Sequence, residues 1–345
     1  MTGSERILTA INGGIPDKIP IIELAIDPEV MNVIYPGIDY LDFFEHFDID
    51  GLTLFYDLLY EDVAPDVKKD CFGVLNNFKS MEGHFPVPIE PLINNDIDPM
   101  KFLDDYEMPD GRDPRHLALL QKAIEKFKGK KAVALIMHTS MWYPLCMRGY
   151  ENFMLDIYER PEFVHRLTNM FMDFFLEIER QAIEMGVDVI IDGEDYAGIN
   201  GLVMSKKHIE EFLLPGLKRA IKLAHDNGVP FVKHTDGNIY PIIDMLIEAG
   251  IDCLNPIEPA AGMNLRDVKN KYGKKISLWG NVDCSHLLTF GNPSEVRKAT
   301  RECIADAAHG GGYILSSSNT IHSQVPAENF VAMVETCREF GNYPI

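Results

Sequence analysis

Val187-Asp-Val-Ile-Ile-Asp192 and Pro230-Phe-Val-Lys-His234 frame the segment that decides the fold. Both runs are continuously apolar up to their polar ends rather than alternating, the pattern of strands buried on both faces of a parallel sheet. Between them, Ser205 can cap a helix that contains Pro215, a kink or break, and stops near Gly228. Strand, helix and strand make one βα unit. The same rhythm extends both ways. Upstream candidate strands are Ile19–Leu24, Gly51–Phe55 and Ala132–Met137; downstream ones are Ile251–Asn255, Ile276–Gly280 and Gly312–Ser316.

Helix punctuation fills the gaps. Asp113-Pro114 reads as an N-cap with Pro at the first helical position, followed by a stripe of Leu117, Leu120, Ile124 and Phe127. Pro161 opens a long amphipathic stretch ending at Gly186, and Asn264–Tyr272, Pro293–His309 and Pro326–Phe340 supply further helices. Eight strands with intervening helices predict an α/β fold, a closed (β/α)8 TIM barrel forming one domain over residues 1–345. Residues 60–112, rich in Pro, Asn and Asp, break the rhythm between the second and third strands and read as an insertion, a small hairpin.

The 345 residues carry 32 Lys+Arg against 53 Asp+Glu, a formal charge of −21. Such a surface repels phosphate backbones and anionic lipid heads, so neither nucleic acid nor a membrane is expected as a partner. The six cysteines are scattered without a CxxC pair, as expected of reduced thiols. With no basic-then-apolar leader and no apolar run of membrane length, the expected location is cytoplasmic.

Polar clusters follow the strand ends, which in a barrel gather around one mouth. The fourth strand ends in Asp192-Gly193-Glu194-Asp195-Tyr196, three carboxylates within four residues, with Asp195 read as the structural one. Such crowding needs a cation or a shared proton, unless it is a solvated turn. The fifth ends in His234-Thr-Asp236: two residues apart on extended backbone, both side chains point the same way and can hold Zn2+ with a third ligand, or simply pair with each other. Asn281 and Asp283 follow the seventh strand, Asn319 and His322 the eighth. Tyr56, His138 and Trp142 sit at the ends of the second and third, where they suit a flat apolar ligand; Tyr143 reads as packing. No Gly-x-Ser-x-Gly elbow or P-loop is present.

In order along the chain, Glu5-Arg6…Pro16-Asp17…Pro20, Lys69-Asp-Cys-Phe-Gly-Val74 and Asp192-Gly-Glu-Asp195 are family-like signatures. His234-Thr-Asp-Gly-Asn238, Asn255-Pro-Ile-Glu-Pro259, Gly280-Asn-Val-Asp283 and Val325-Pro-Ala-Glu-Asn329 continue the series. The chain resembles the uroporphyrinogen decarboxylase superfamily, in its corrinoid-dependent methyltransferase branch. It departs from porphyrinogen decarboxylases in lacking an N-terminal Arg-rich segment. It departs from the thiol-methylating branch, whose pattern is His-x-Cys…Cys, by placing Asp236 at the first Cys and Asn319 near the second.

Oxygen and nitrogen donors in place of thiolates suit an oxygen leaving group. The resemblance therefore implies the methyltransferase component of an O-demethylase: methyl passes from a methoxyaromatic to the cobalt of a separate corrinoid-binding protein. The implied zinc ligands are His234, Asp236 and Glu194. Asp192, Glu194 and His322 are the acid–base residues, and Tyr56, His138, Trp142, Tyr196, Asn281, Asp283 and Asn319 the substrate contacts. The alternatives are a decarboxylase of a smaller acid, a zinc methyltransferase moving methyl from a methyl-corrinoid protein to a coenzyme, and a non-enzymatic corrinoid or small-molecule binder.

Overall fold

A computed structural model of the chain describes residues 1–79 and 86–345. Its strands, in chain order, begin with β1 (Gly51–Phe55), then β2 (Glu61–Ala64), β3 (Val67–Lys69), β4 (Leu75–Asn77) and β5 (Val87–Pro88). They continue with β6 (Ala132–Met137), β7 (Val189–Asp192), β8 (Ala197–Gly198) and β9 (Gly201–Leu202). The last four are β10 (Phe231–His234), β11 (Cys253–Asn255), β12 (Ser277–Trp279) and β13 (Tyr313–Ile314). Among the described residues, seven of these form one sheet in the order β1-β6-β7-β10-β11-β12-β13, and every pairing in it is parallel.

The eighth expected strand, Ile19–Leu24, is not a regular strand. It still lies between β13 and β1: Leu315 N donates to Pro20 O at 3.0 Å and Asp50 N donates to Ile21 O at 2.7 Å. Pro16 and Pro20 have no N–H to give a ladder, so only single bridges form, such as Ile21 with Leu315. The Asp50 carboxylate takes the Ile21 N–H at 2.8 Å in place of a strand partner. The barrel closes through this irregular stave.

Two apolar layers explain the unbroken runs. Ile22, Ala134, Ile136, Val189, Ile191 and Val232 pack inside the barrel. Their sequence neighbours Leu135, Ile190, Phe231 and Leu254 pack outward against helical residues such as Phe171, Phe175 and Ile178. Both faces of each strand are thus removed from water, and truncating a core ring such as Phe171 to Ala would cost about 3–5 kcal/mol.

The helix punctuation holds. Asp113 caps Pro114–Leu117, and Pro161–Met185 stops at Gly186, whose φ of 93° is left-handed. Pro215 does not end its helix: the chain stays helical from Lys206 to Asp226, with a π turn over Ile209–Leu213 just before the proline. Within residues 60–112, β2–β5 build a four-stranded antiparallel sheet, larger than the expected hairpin, followed by a helix at Pro99–Asp105. Residues 80–85 of that segment lie outside the described residues. No helix among the described residues is long and apolar enough to cross a membrane.

Candidate active site

A cavity of about 1380 Å3 opens at the carboxyl ends of the barrel strands. Tyr56, Trp142 and Tyr143 wall one side of it, and Asp195, His234, Asp236 and Asn319 are on its floor. Tyr60, Asn76, Phe78 and Pro88 of the inserted segment line it as well, so the small sheet roofs the mouth.

His234 ends β10 and points inward, two residues beyond Val232 of the inner layer. Its Nδ1 lies 2.6 Å from Asn255 Oδ1. Asn255 Nδ2 donates to the Trp279 carbonyl at 3.0 Å, so Oδ1 is the acceptor and His234 carries its proton on Nδ1. The lone pair of Nε2 is left facing Asp195 Oδ1 and Asp236 Oδ1, each at 3.7 Å. Burial lowers the His234 pKa and keeps the ring neutral, the form a metal requires.

Asp236 is held from the other side by Asn319 Nδ2, which donates to Oδ2. Its Oδ1 is buried without a hydrogen-bond partner. Burial, together with Asp195 and Glu258, pushes its carboxyl up to about 9. Gly237 lets the chain turn immediately after it: φ is 88°, and a Cβ would come within 2.4 Å of Gly198 N in the β8–β9 hairpin. Asp195, His234 and Asp236 bring one ligand atom each within 4.8 Å of one another. An orphaned carboxylate oxygen, a free imidazole lone pair and a second carboxylate fit a divalent cation.

Glu194 lines the same cavity but is bound to other partners. Its Oε1 accepts from Thr139 N at 3.0 Å and Met141 N at 2.9 Å, and its Oε2 from Trp142 N at 2.9 Å. With its lone pairs committed to the loop after β6, Glu194 is not part of the ligand group; Asp195, read from sequence as structural, occupies that place. Asp192, by contrast, leaves the mouth, because alternation turns it outward beneath the helices. There its Oδ2 accepts from Lys233 Nζ at 2.6 Å. Burial raises its pKa to about 6 despite that partner. Lys233 is itself fully buried, donates to Glu194 O at 2.5 Å and sits 4.1 Å from the Tyr196 ring centroid. Tyr196 is therefore a platform for an ammonium, buried away from the cavity wall.

Two other expected contacts turn away. Asn281 Nδ2 donates to Ile257 O at 2.7 Å, and Asp283 caps the turn that follows it by accepting from Ser285 N at 2.9 Å. Neither lines the cavity. Asn319 and His322 do, and His322 is tied down, with Nε2 3.2 Å from Thr289 Oγ1 and Nδ1 accepting from Gln324 N at 3.3 Å. Tyr56 and His138 both line it and meet each other, Tyr56 Oη lying 2.7 Å from His138 Nδ1. Tyr143 joins them, its Oη 2.8 Å from Tyr56 Oη, so it both packs and lines the wall. Lys233 and Asn255 are the residues that motif reading passed over. Their signal lay in strand alternation, which sends Lys233 out and Asn255 in.

Ligating side chains collected at the carboxyl ends of a parallel barrel, with an aromatic wall above them, form the kind of site used by barrel enzymes. Residues 40–340 match the family described as Uroporphyrinogen decarboxylase (URO-D), and the chain belongs to that family. Relatives include the uroporphyrinogen decarboxylase of Actinobacillus succinogenes, 23% identical over 54% of this chain and 51% of that protein. The uroporphyrinogen decarboxylase of Ruthia magnifica is 21% identical over 86% of this chain and 82% of that protein. The methylated-thiol–coenzyme M methyltransferase of Methanosarcina mazei is 24% identical over 68% and 62%. The chain thus spans about half the length of the first of these relatives and four-fifths of the second. A solved methyltransferase from Methanosarcina mazei superposes with a TM-score of 0.78 over 99% of both chains at 20% identity, a likeness of fold.

Proposed function

We propose that this chain is a methyltransferase that removes the methyl group of an aryl methyl ether and passes it to the cobalt of a separate corrinoid protein. The observation that carries this reading is the Asp195–His234–Asp236 group at the floor of a cavity walled by aromatic rings. The set has two hard oxygen donors and one nitrogen and no thiolate, which suits an oxygen leaving group better than activation of a thiol. Similarity to a methyltransferase supports the transfer chemistry. Decarboxylation of a polyacid is disfavoured by the lining: its cations among the described residues are Arg115 and Lys122, and Arg115 is already bound by Asp113.

Zn2+ held by Asp195, His234 and Asp236 would supply Lewis acidity to the departing oxygen. The remaining work belongs to the chain. Asn255 keeps the His234 lone pair aimed at the floor, and Asn319 holds Asp236. Tyr56 and Trp142 stack or edge against the ring, placing the methyl carbon in line for attack from the open side of the mouth.

The test is incubation with a reduced corrinoid protein and a panel of methoxyaromatics, followed by the absorbance of methylated cobalt. Methyl transfer from one class of ether is the expected result. Failure with every ether, alongside release of CO2 from a small carboxylic acid, would replace this reading with decarboxylation.

A further inference from the structure

The three acid–base residues expected to serve the leaving oxygen are all occupied. Asp192 is buried outside the cavity against Lys233, Glu194 accepts from three backbone N–H groups, and His322 spends both ring nitrogens on Thr289 and Gln324. His138 is not occupied in this way. It follows β6, faces inward in register with Ala134 and Ile136, and lines the same cavity as His234.

Its proton can be placed by counting. Tyr56 Oη touches His138 Nδ1 at 2.7 Å and Tyr143 Oη at 2.8 Å, and Tyr143 Oη has no further partner among the described residues. If Tyr56 gave its proton to Tyr143, the Tyr143 proton would have no protein acceptor among the described residues and would be left to the cavity that Tyr143 lines. The ordering Tyr143 to Tyr56 to His138 Nδ1 satisfies both hydroxyls. It leaves the imidazole proton on Nε2, on the far side of the ring from Tyr56, where no protein group meets it among the described residues. Burial holds the His138 pKa down to about 4, so the ring stays neutral near pH 7 and carries only that proton. Tyr143 packs edge-on against it, with centroids 5.2 Å apart and planes at 84°, which fixes the ring's direction.

We propose that His138 is a further catalytic residue, whose Nε2–H donates a hydrogen bond to the ether oxygen as it leaves as a phenolate. This rests on the methyl-transfer reading above. In the step, the O–CH3 bond breaks with its electron pair staying on oxygen. The methyl carbon forms its new bond with the electron pair of cobalt(I) on the corrinoid partner. His138 keeps its proton throughout, and the released phenolate is protonated by solvent. A preorganised donor aimed at developing charge strengthens in the transition state, so it acts on kcat.

His138→Phe keeps the ring that packs on Tyr143 and removes the donor; His138→Gln restores an N–H. With methyl ethers of weakly acidic phenols, kcat of the Phe variant is expected to fall about 100- to 1000-fold with KM little changed. The loss should shrink for nitro-substituted ethers, whose phenolates need less help, and the Gln variant should recover part of it. A second readout needs neither corrinoid nor turnover. Bound 4-nitrophenol should be more ionised, by its visible absorbance, on the wild-type chain than on the Phe variant at the same pH.

An equal loss with every leaving group, or nitrophenol ionisation indifferent to residue 138, would overturn the assignment. If no ether is demethylated while nitrophenol ionisation still depends on His138, the methyl-transfer reading falls and the donor assignment stands.

Discussion

Asn255 decides which nitrogen of His234 is free, because its Oδ1 sits 2.6 Å from Nδ1 while its amide is spent on the Trp279 carbonyl. Removing that acceptor in Asn255→Ala frees the ring to rotate and to change tautomer. Zinc affinity, measured by competition with a chromophoric chelator, is expected to fall about 10- to 100-fold. Asn255→Asp keeps an acceptor for Nδ1–H and should lose much less.

Neighbouring acids Glu194 and Asp195 should separate cleanly by experiment. Glu194→Ala strips three buried N–H groups of their acceptor and should cost about 3 kcal/mol or more in urea denaturation. Asp195→Ala gives up one hydrogen bond at a half-exposed carboxylate and should cost about 1 kcal/mol, yet it should weaken zinc binding far more. Equal effects of the two on metal affinity would contradict the ligand group.

Lys233→Met leaves Asp192 buried without its cation. The expected cost is about 3–5 kcal/mol, and adding Asp192→Asn should recover most of it, since the pair together can be replaced far more cheaply than either member alone. Thermal unfolding of the single and double variants gives the comparison.

Glu23 sets a pH dependence. Burial pushes its carboxyl up to about 8, even though Ser317 donates to it from both N and Oγ. Between the ordinary carboxylate range and pH 8 the unfolded chain releases this proton and the folded chain keeps it. Stability therefore falls as pH rises through that window and levels off above it. Glu23→Gln should flatten the profile by an amount on the order of a few kcal/mol between pH 5 and 8. Glu179, raised to about 9 by burial, contributes a slope of the same sign and remains in the variant.

Most of the barrel was readable from sequence because doubly buried strands cannot hide their composition. Val187–Asp192 and Ala132–Met137 are apolar on both faces, and Pro161 and Gly186 mark their helix at both ends. Ile19–Leu24 has the same composition, but Pro20 denies it a ladder, and composition does not reveal which N–H groups find partners. The site divides in the same way. His234 and Asp236 were legible as a pair two residues apart on extended backbone. Asp195 and Glu194 exchanged roles because their directions depend on the turn after Asp192, where strand alternation no longer applies. Asn281 and Asp283 lie just past a strand end, yet local carbonyl and cap bonds claimed them first.

The floor of the cavity comes from barrel strand ends and its roof from the small antiparallel sheet, two stretches of chain that are far apart in sequence. On the methyl-transfer reading, the reactive centre and part of what shapes its entrance are thus written in separate passages. Selection could redraw the outer sheet, lengthening β2–β5 or exchanging Tyr60 and Phe78, and so recruit the same reactive centre to new compounds without disturbing it.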